Sequence, residues 1–140
     1  MAIAKANECV PYYSPGEDIS AYVGVAVTGK RFVRVSANRQ AGPALNTSAS
    51  GGNVTIAPAT AAVRGALLGV AAYDGAVGDI IPVIASPGAV VPVTASGVIA
   101  AGAQVEVGTG GVAVTIAAGV AVGVCLSGAV DAGDAQIKLY

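Results

Sequence analysis

The chain has no histidine and no tryptophan, a single Phe, a single Met and only two cysteines in 140 residues. Without histidine there is no Ser-His or Cys-His nucleophile pair, and an imidazole base is excluded with it. Cys9 and Cys125 stand far apart and outside any CxxC, which gives neither a zinc set nor a redox pair. Cys125 lies in an apolar run and reads as a small core residue, and a disulfide to Cys9 is not expected in an intracellular chain. Charge is scarce too. Charged residues are 11% of the chain and the net charge is −1, which leaves no electrostatic footprint for nucleic acid. Aromatics at 4% leave the core to Ala, Val, Ile and Leu, and 20 Gly argue for many turns.

The acids offer no catalytic pair. Only Glu17 and Asp18 are adjacent, beside Gly16 in an expected turn, where carboxylates bond to backbone. Asp79 and Asp134 each follow a glycine in matching places of a repeat, and turn chemistry explains them better than acid/base work. The glycine-rich stretches lack the Lys and Ser/Thr of a phosphate loop. No catalytic residue, metal or cofactor is expected. A surface so poor in charge suggests cover by other copies or by a partner.

Long apolar runs are present, but interrupted. Residues 80–105 and 107–130 carry no charge, yet Pro82, Pro87, Pro92 and glycines such as Gly108, Gly110 and Gly111 break them. Their flanks are mainly acidic, so strands are favoured over a membrane helix. The N-terminus shows no apolar signal-peptide core, so the protein is expected to be made and used without export.

What is there is a repeat. Val54-Thr55-Ile56-Ala57, Leu68-Gly69-Val70-Ala71 and Gly78-Asp79-Ile80 recur as Val114-Thr115-Ile116-Ala117, Val122-Gly123-Val124-Cys125 and Gly133-Asp134-Ala135. An alternating strand precedes each copy, Phe32-Val33-Arg34-Val35 in one and Gln104-Val105-Glu106-Val107 in the other. Phe32 and Arg34 should share one face, Val33 and Val35 the other. Turn signals recur every few residues: Thr28-Gly29-Lys30, Ser86-Pro87-Gly88, Thr109-Gly110-Gly111. Pro92 favours an edge or bulge, and residues 37–53 read as a polar loop. The expectation is an all-β fold, a compact barrel or sandwich of about ten short strands in two related halves, roughly residues 19–86 and 87–140. An extended N-terminal arm, residues 1–18, precedes the β domain of residues 19–140.

Two features point outward. Pro11, Tyr12, Tyr13 and Pro15 stiffen the arm and give it flat rings with polar tips, suited to docking on another surface or to folding back on this domain. Lys30, Arg31, Arg34 and Arg39 crowd into ten residues. They read either as a solvated strand or, preferably, as an interface strip pairing with carboxylates of a neighbouring subunit or partner.

In order along nearly the whole chain, these stretches resemble the small capsid decoration (cement) proteins of tailed bacteriophages. The arm from Glu8 to Val23 carries the resemblance first, then Val27–Ser36, Thr55–Thr60 and Leu67–Asp74. Val90–Gly108 and Ala121–Tyr140 complete it, and the segment 37–53 is excepted. The resemblance implies a protein on the outer surface of the virion head, made in the host cytoplasm, with the major capsid protein and itself as partners. It implies a homotrimer bridging capsid subunits through its arm, with no nucleic acid or membrane involved. Two other readings stay open. One is a different virion structural protein, such as a fibre or spike base. The other is a small β glycan-binding module, disfavoured by the lack of Trp.

Overall fold

The computed structural model describes residues 6–9, 18–40 (backbone alone for Arg39 and Gln40), 53–60 and 66–140. Ten strands follow one another: β1 (Asp18–Val23), β2 (Phe32–Gln40), β3 (Asn53–Pro58), β4 (Leu67–Ala71), β5 (Ile80–Ile84), β6 (Val90–Thr94), β7 (Gln104–Val107), β8 (Ala113–Thr115), β9 (Gly123–Ser127) and β10 (Asp134–Leu139). The first five close into a barrel in the order β1-β3-β2-β4-β5, with β1 returning to β5. The second five form a sheet in the order β6-β10-β9-β7-β8. Both charge-free windows resolve into these short strands. Among the described residues no helix is long and apolar enough to cross a membrane.

The two sheets have the same wiring, and paired hydrogen bonds fix which residues correspond. The Val23 N–H donates to the Asp79 carbonyl as Ala95 does to Gly133, and Gly24 donates to Ile56 as Ser96 does to Ala113. Lys30 donates to Ala71 as Gly102 does to Cys125, and Ala59 donates to Phe32 as Ile116 does to Gln104. These pairs correct part of the repeat read from the sequence. Leu68–Ala71 does match Val122–Cys125. Ile56, however, matches Ala113 rather than Ile116, and Asp79 matches Gly133, which leaves Asp134 opposite Ile80. The Val-Thr-Ile-Ala likeness is a coincidence of β-forming residues. The physical reason is the connection before it: the second half turns from β7 into β8 through a tight 3-10 turn, Thr109–Gly111, with Gly110 and Gly111 at positive φ. The first half instead extends its β2–β3 hairpin to the Gln40–Asn53 pair.

The barrel interior follows the same correspondence. Ala21, Val23, Val27, Val33, Ile56, Ala71, Ile81 and Val83 pack inside the first half. Their counterparts Val93, Ala95, Ile99, Val105, Ala113, Cys125, Ala135 and Ile137 lie in the larger core cluster. Where one interior enlarges a residue, the other reduces one: Ala21 becomes Val93 while Val23 becomes Ala95, and Val83 becomes Ile137 while Ile81 becomes Ala135. Both pack densely without an aromatic, as a narrow five-stranded interior requires.

Phe32 and Val33 point to opposite faces, as alternation demands, but both are fully buried. Val33 fills the first barrel, whereas Phe32 joins Val70 and Ile84 on its outer face and packs with the second half. Burying a Phe side chain is worth about 1.5–3 kcal/mol, so Phe32 is a main tie between the halves.

The second sheet is less closed. β1 and β3 pair in parallel over three residues, but β6 and β8 are linked by the Ala95–Ala113 bridge. The free edge of β6 is covered by other means. Pro92 has no N–H to offer, its carbonyl accepts from the Cys9 thiol at 3.3 Å, and the Thr94 N–H donates to the Lys30 carbonyl at 2.9 Å. Pro92 thus sits at a sheet edge, where a strand proline is tolerated.

Two local expectations are revised, and Val27 adds an isolated bridge to Gly75. Asp18 opens β1 instead of sitting in a turn. The segment 37–53 is strand at both ends, with residues 41–52 outside the described residues.

Candidate functional site

The basic strip divides. Lys30 holds φ at 61°, where its counterpart Gly102 holds 83°, and this turn aims its ammonium across the seam. There it pairs with Asp134 at 2.9 Å. Lys30 thus joins the first half to the second. Arg31 and Arg34 are half-buried, each with its Nε buried and without a hydrogen-bond partner. Among the described residues the ion pair is Lys30–Asp134, so neither arginine meets a described carboxylate. The side chain of Arg39 lies outside the described residues.

Most described acids are spent within the fold. Asp79 accepts from the Ala76 N–H at 2.9 Å, the turn role expected of it. Asp134 was expected to act likewise, but it sits one place further on, at the start of β10, and meets Lys30 instead. Asp131 accepts from the Gly97 N–H at 2.7 Å, and Asp74 accepts from Asn7 and from the Gly29 N–H at 2.9 Å each. Glu106, the counterpart of Arg34, closes its own loop by accepting from the Ala117 and Gly119 N–H groups. Among the described residues no three His, Cys, Asp or Glu gather in a way that could hold a metal ion.

Of the arm, Pro11, Tyr12, Tyr13 and Pro15 lie outside the described residues. Residues 6–9 are docked on this chain's own domain. The Cys9 N–H donates to the Ala72 carbonyl at 2.6 Å, the Asp74 N–H donates to Ala6 at 3.2 Å, and Asn7 holds the Asp74 carboxylate. Gly29 makes room for them, since a Cβ there would overlap the Asn7 carbonyl. The Cys9 thiol is buried, and loss of hydration pushes its pKa from 9.0 up to about 12; nearby Lys30 opposes this and Asp134 and Asp18 add to it. Cys9 is therefore a neutral S–H donor to Pro92. Cys125 is buried in the core and both thiols are free.

Sequence patterning missed a set of apolar tips. Val25, Val77 and Ile80 stand exposed where β1 leaves and β5 enters the first barrel, and Val98 and Val130 do so at the corresponding loops of the second half. Val98 and Val130 are 74% and 70% exposed, more than any core role allows. Val98 and Val130 lie in runs of small residues with no alternation, so no periodic signal marks them. On the other side, a cleft of about 220 Å³ between the halves is lined by Phe32, Leu67, Val122, Leu139 and Tyr140. The Tyr140 hydroxyl accepts from the Gln104 amide at 2.9 Å. The surface carries exposed apolar loop tips and two arginines that no described carboxylate meets, on a scaffold whose described polar groups mostly serve its own turns.

No protein-family model matches the chain, and no curated protein matches it. Among solved structures it is similar to the N base of the head fibre gp8.5 of bacteriophage phi29. The identity is 20%, the match covers 89% of this chain and 93% of that one, and the TM-score is 0.65. The two chains share a fold over nearly their whole lengths.

Proposed function

We propose that this chain is a structural protein of a tailed-phage virion, and that it serves as a base module seated on the outside of the head. The observation that carries the proposal is the likeness, over most of both chains, to the N base of a phage head fibre. The features of the chain agree with it. The acids hold turns and seams together, and the exposed features are contact groups. A base of this kind works by occupancy: binding only to the assembled shell, it is held by many equivalent sites and stabilises what it binds in proportion to its saturation.

A second reading, a cement protein bridging adjacent major capsid subunits as a homotrimer, rests on the ordered resemblance in the arm and the strands. Both readings put the protein on the outer shell and differ in what is lost without it. The test is to purify heads lacking the protein and add it back, imaging the particles and challenging them with heat. Saturable binding that restores a projecting fibre supports the base reading. Binding that raises shell stability with no projection supports the cement reading. A folded protein that binds no head refutes both.

A further inference from the structure

From the unpaired arginines we infer that Arg31 and Arg34 form the charged contact of this protein with a carboxylate-bearing surface of a different protein, the shell on which it sits. The inference rests on the proposed seat on a virion head and names the chemistry of that contact.

Three observations carry it. First, the strip is not uniformly basic: Lys30 pairs with Asp134 inside the molecule, whereas no described carboxylate meets Arg31 or Arg34. Second, their stems are held. Both residues are half-buried with Nε packed away, so each guanidinium is held near its base and loses little freedom on pairing. Third, the other half of the molecule fills the same place differently. Glu106, the counterpart of Arg34, is consumed by the Ala117 and Gly119 N–H groups, while Arg34 is left open.

The partner's class follows from charge. Among the described acids, Asp74, Asp79, Glu106, Asp131 and Asp134 are engaged within the chain, which leaves a second copy only Glu8 and Asp18 to offer, and self-association of the free chain checks that alternative. A nucleic acid would need a wider basic footprint than two arginines on a chain of net charge −1. A protein surface with a few carboxylates, paired to the arginine ends, meets the requirement.

The experiment is a binding isotherm of the whole chain on heads lacking it, repeated across salt concentrations, for wild type, Arg31→Gln/Arg34→Gln, and Lys30→Met. A melting curve for each variant shows whether it is folded. The double variant should bind at least about tenfold more weakly and lose most of the salt dependence, as expected when charged contacts are removed. Lys30→Met, which removes the charge paired with Asp134, should bind as wild type does. Equal binding by folded wild type and double variant overturns the inference and leaves the seat on the head standing. An equal loss in Lys30→Met overturns it too, because the effect is then general to the strip. If wild type itself binds no head, the proposed seat fails and the inference falls with it.

Discussion

Replacing Gly29 by alanine should lift the N-terminal segment off the domain without unfolding either half. A Cβ at this position would overlap the Asn7 carbonyl and press on the backbone of Tyr73, and neither is a flexible side-chain end that can step aside. What holds residues 6–9 in place can be summed in kind. There are two backbone hydrogen bonds to Ala72 and Asp74, the Asn7 amide on the Asp74 carboxylate, and the burial of Cys9. Each hydrogen bond is worth about 1 kcal/mol net, and ordering the segment costs about 1–2 kcal/mol per residue, so the docking is worth a few kcal/mol at most. A steric loss of about 3 kcal/mol would leave the segment largely undocked.

Cys9 reports this directly. In the wild type its thiol is 3% exposed and bonded to Pro92, so a thiol reagent reaches it only through local opening. In Gly29→Ala, modification of Cys9 at mildly alkaline pH should speed up by about 100-fold, the equivalent of about 3 kcal/mol. Cys125, 0% exposed inside the second half, should stay protected and serves as the internal clock. The fold supplies a further control: the counterpart of Gly29 is Ala101, which is exposed. Ala101→Gly should therefore change stability by less than about 1 kcal/mol. Unchanged protection of Cys9 in folded Gly29→Ala would show that the segment is not held as described.

The remaining expectations concern the seam, the turns and pH. Phe32→Ala should cost about 3–5 kcal/mol in chemical denaturation, because its burial joins the halves; a loss under 1 kcal/mol would place the tie elsewhere. Ala132 holds φ at 63° where its counterpart Gly78 holds 96°, so Ala132→Gly should stabilise the fold and Gly78→Ala should destabilise it, each by about 1 kcal/mol as read from chemical denaturation. The opposite signs would refute the turn equivalence. Stability should fall as pH rises above about 9, where an unfolded Cys9 loses its proton while the folded thiol, at about 12, keeps it. The slope should approach about 1.4 kcal/mol per pH unit, limited by the cost of undocking residues 6–9. Cys125, also raised by burial, adds in the same direction, so Cys9→Ala should flatten the descent without abolishing it.

The ten short strands and the two related halves were legible because alternation, turn residues and a repeated Leu/Val-Gly-Val pattern are local signals. The register of the repeat was not. Val54–Ala57 and Val114–Ala117 look alike because β-branched residues and alanine suit any strand, and their true offset depends on a turn that consumes residues in one half only. Asp79 and Asp134 were read as equivalent for the same reason. The basic strip was legible as a cluster, but its division was not. Which of Lys30, Arg31 and Arg34 finds a partner depends on how the halves pack, and Asp134 is more than a hundred residues from Lys30 in the chain. The edge role of Pro92 was readable from proline alone, whereas its cover by Cys9 requires the fold.

The unequal closure of the halves sets an order on their making. The first barrel returns β5 to β1 and leaves no bare edge, so it can complete itself before the rest of the chain is available. The second half has its β6 edge covered by Lys30 and Cys9, both contributed from earlier in the chain. Made alone, it would expose an edge ready to pair with another molecule. The first half then acts as a template for the second. A chain assembled from the ribosome outward meets these requirements in the right sequence, whereas a circular permutant that begins at β6 would have to wait with its edge open.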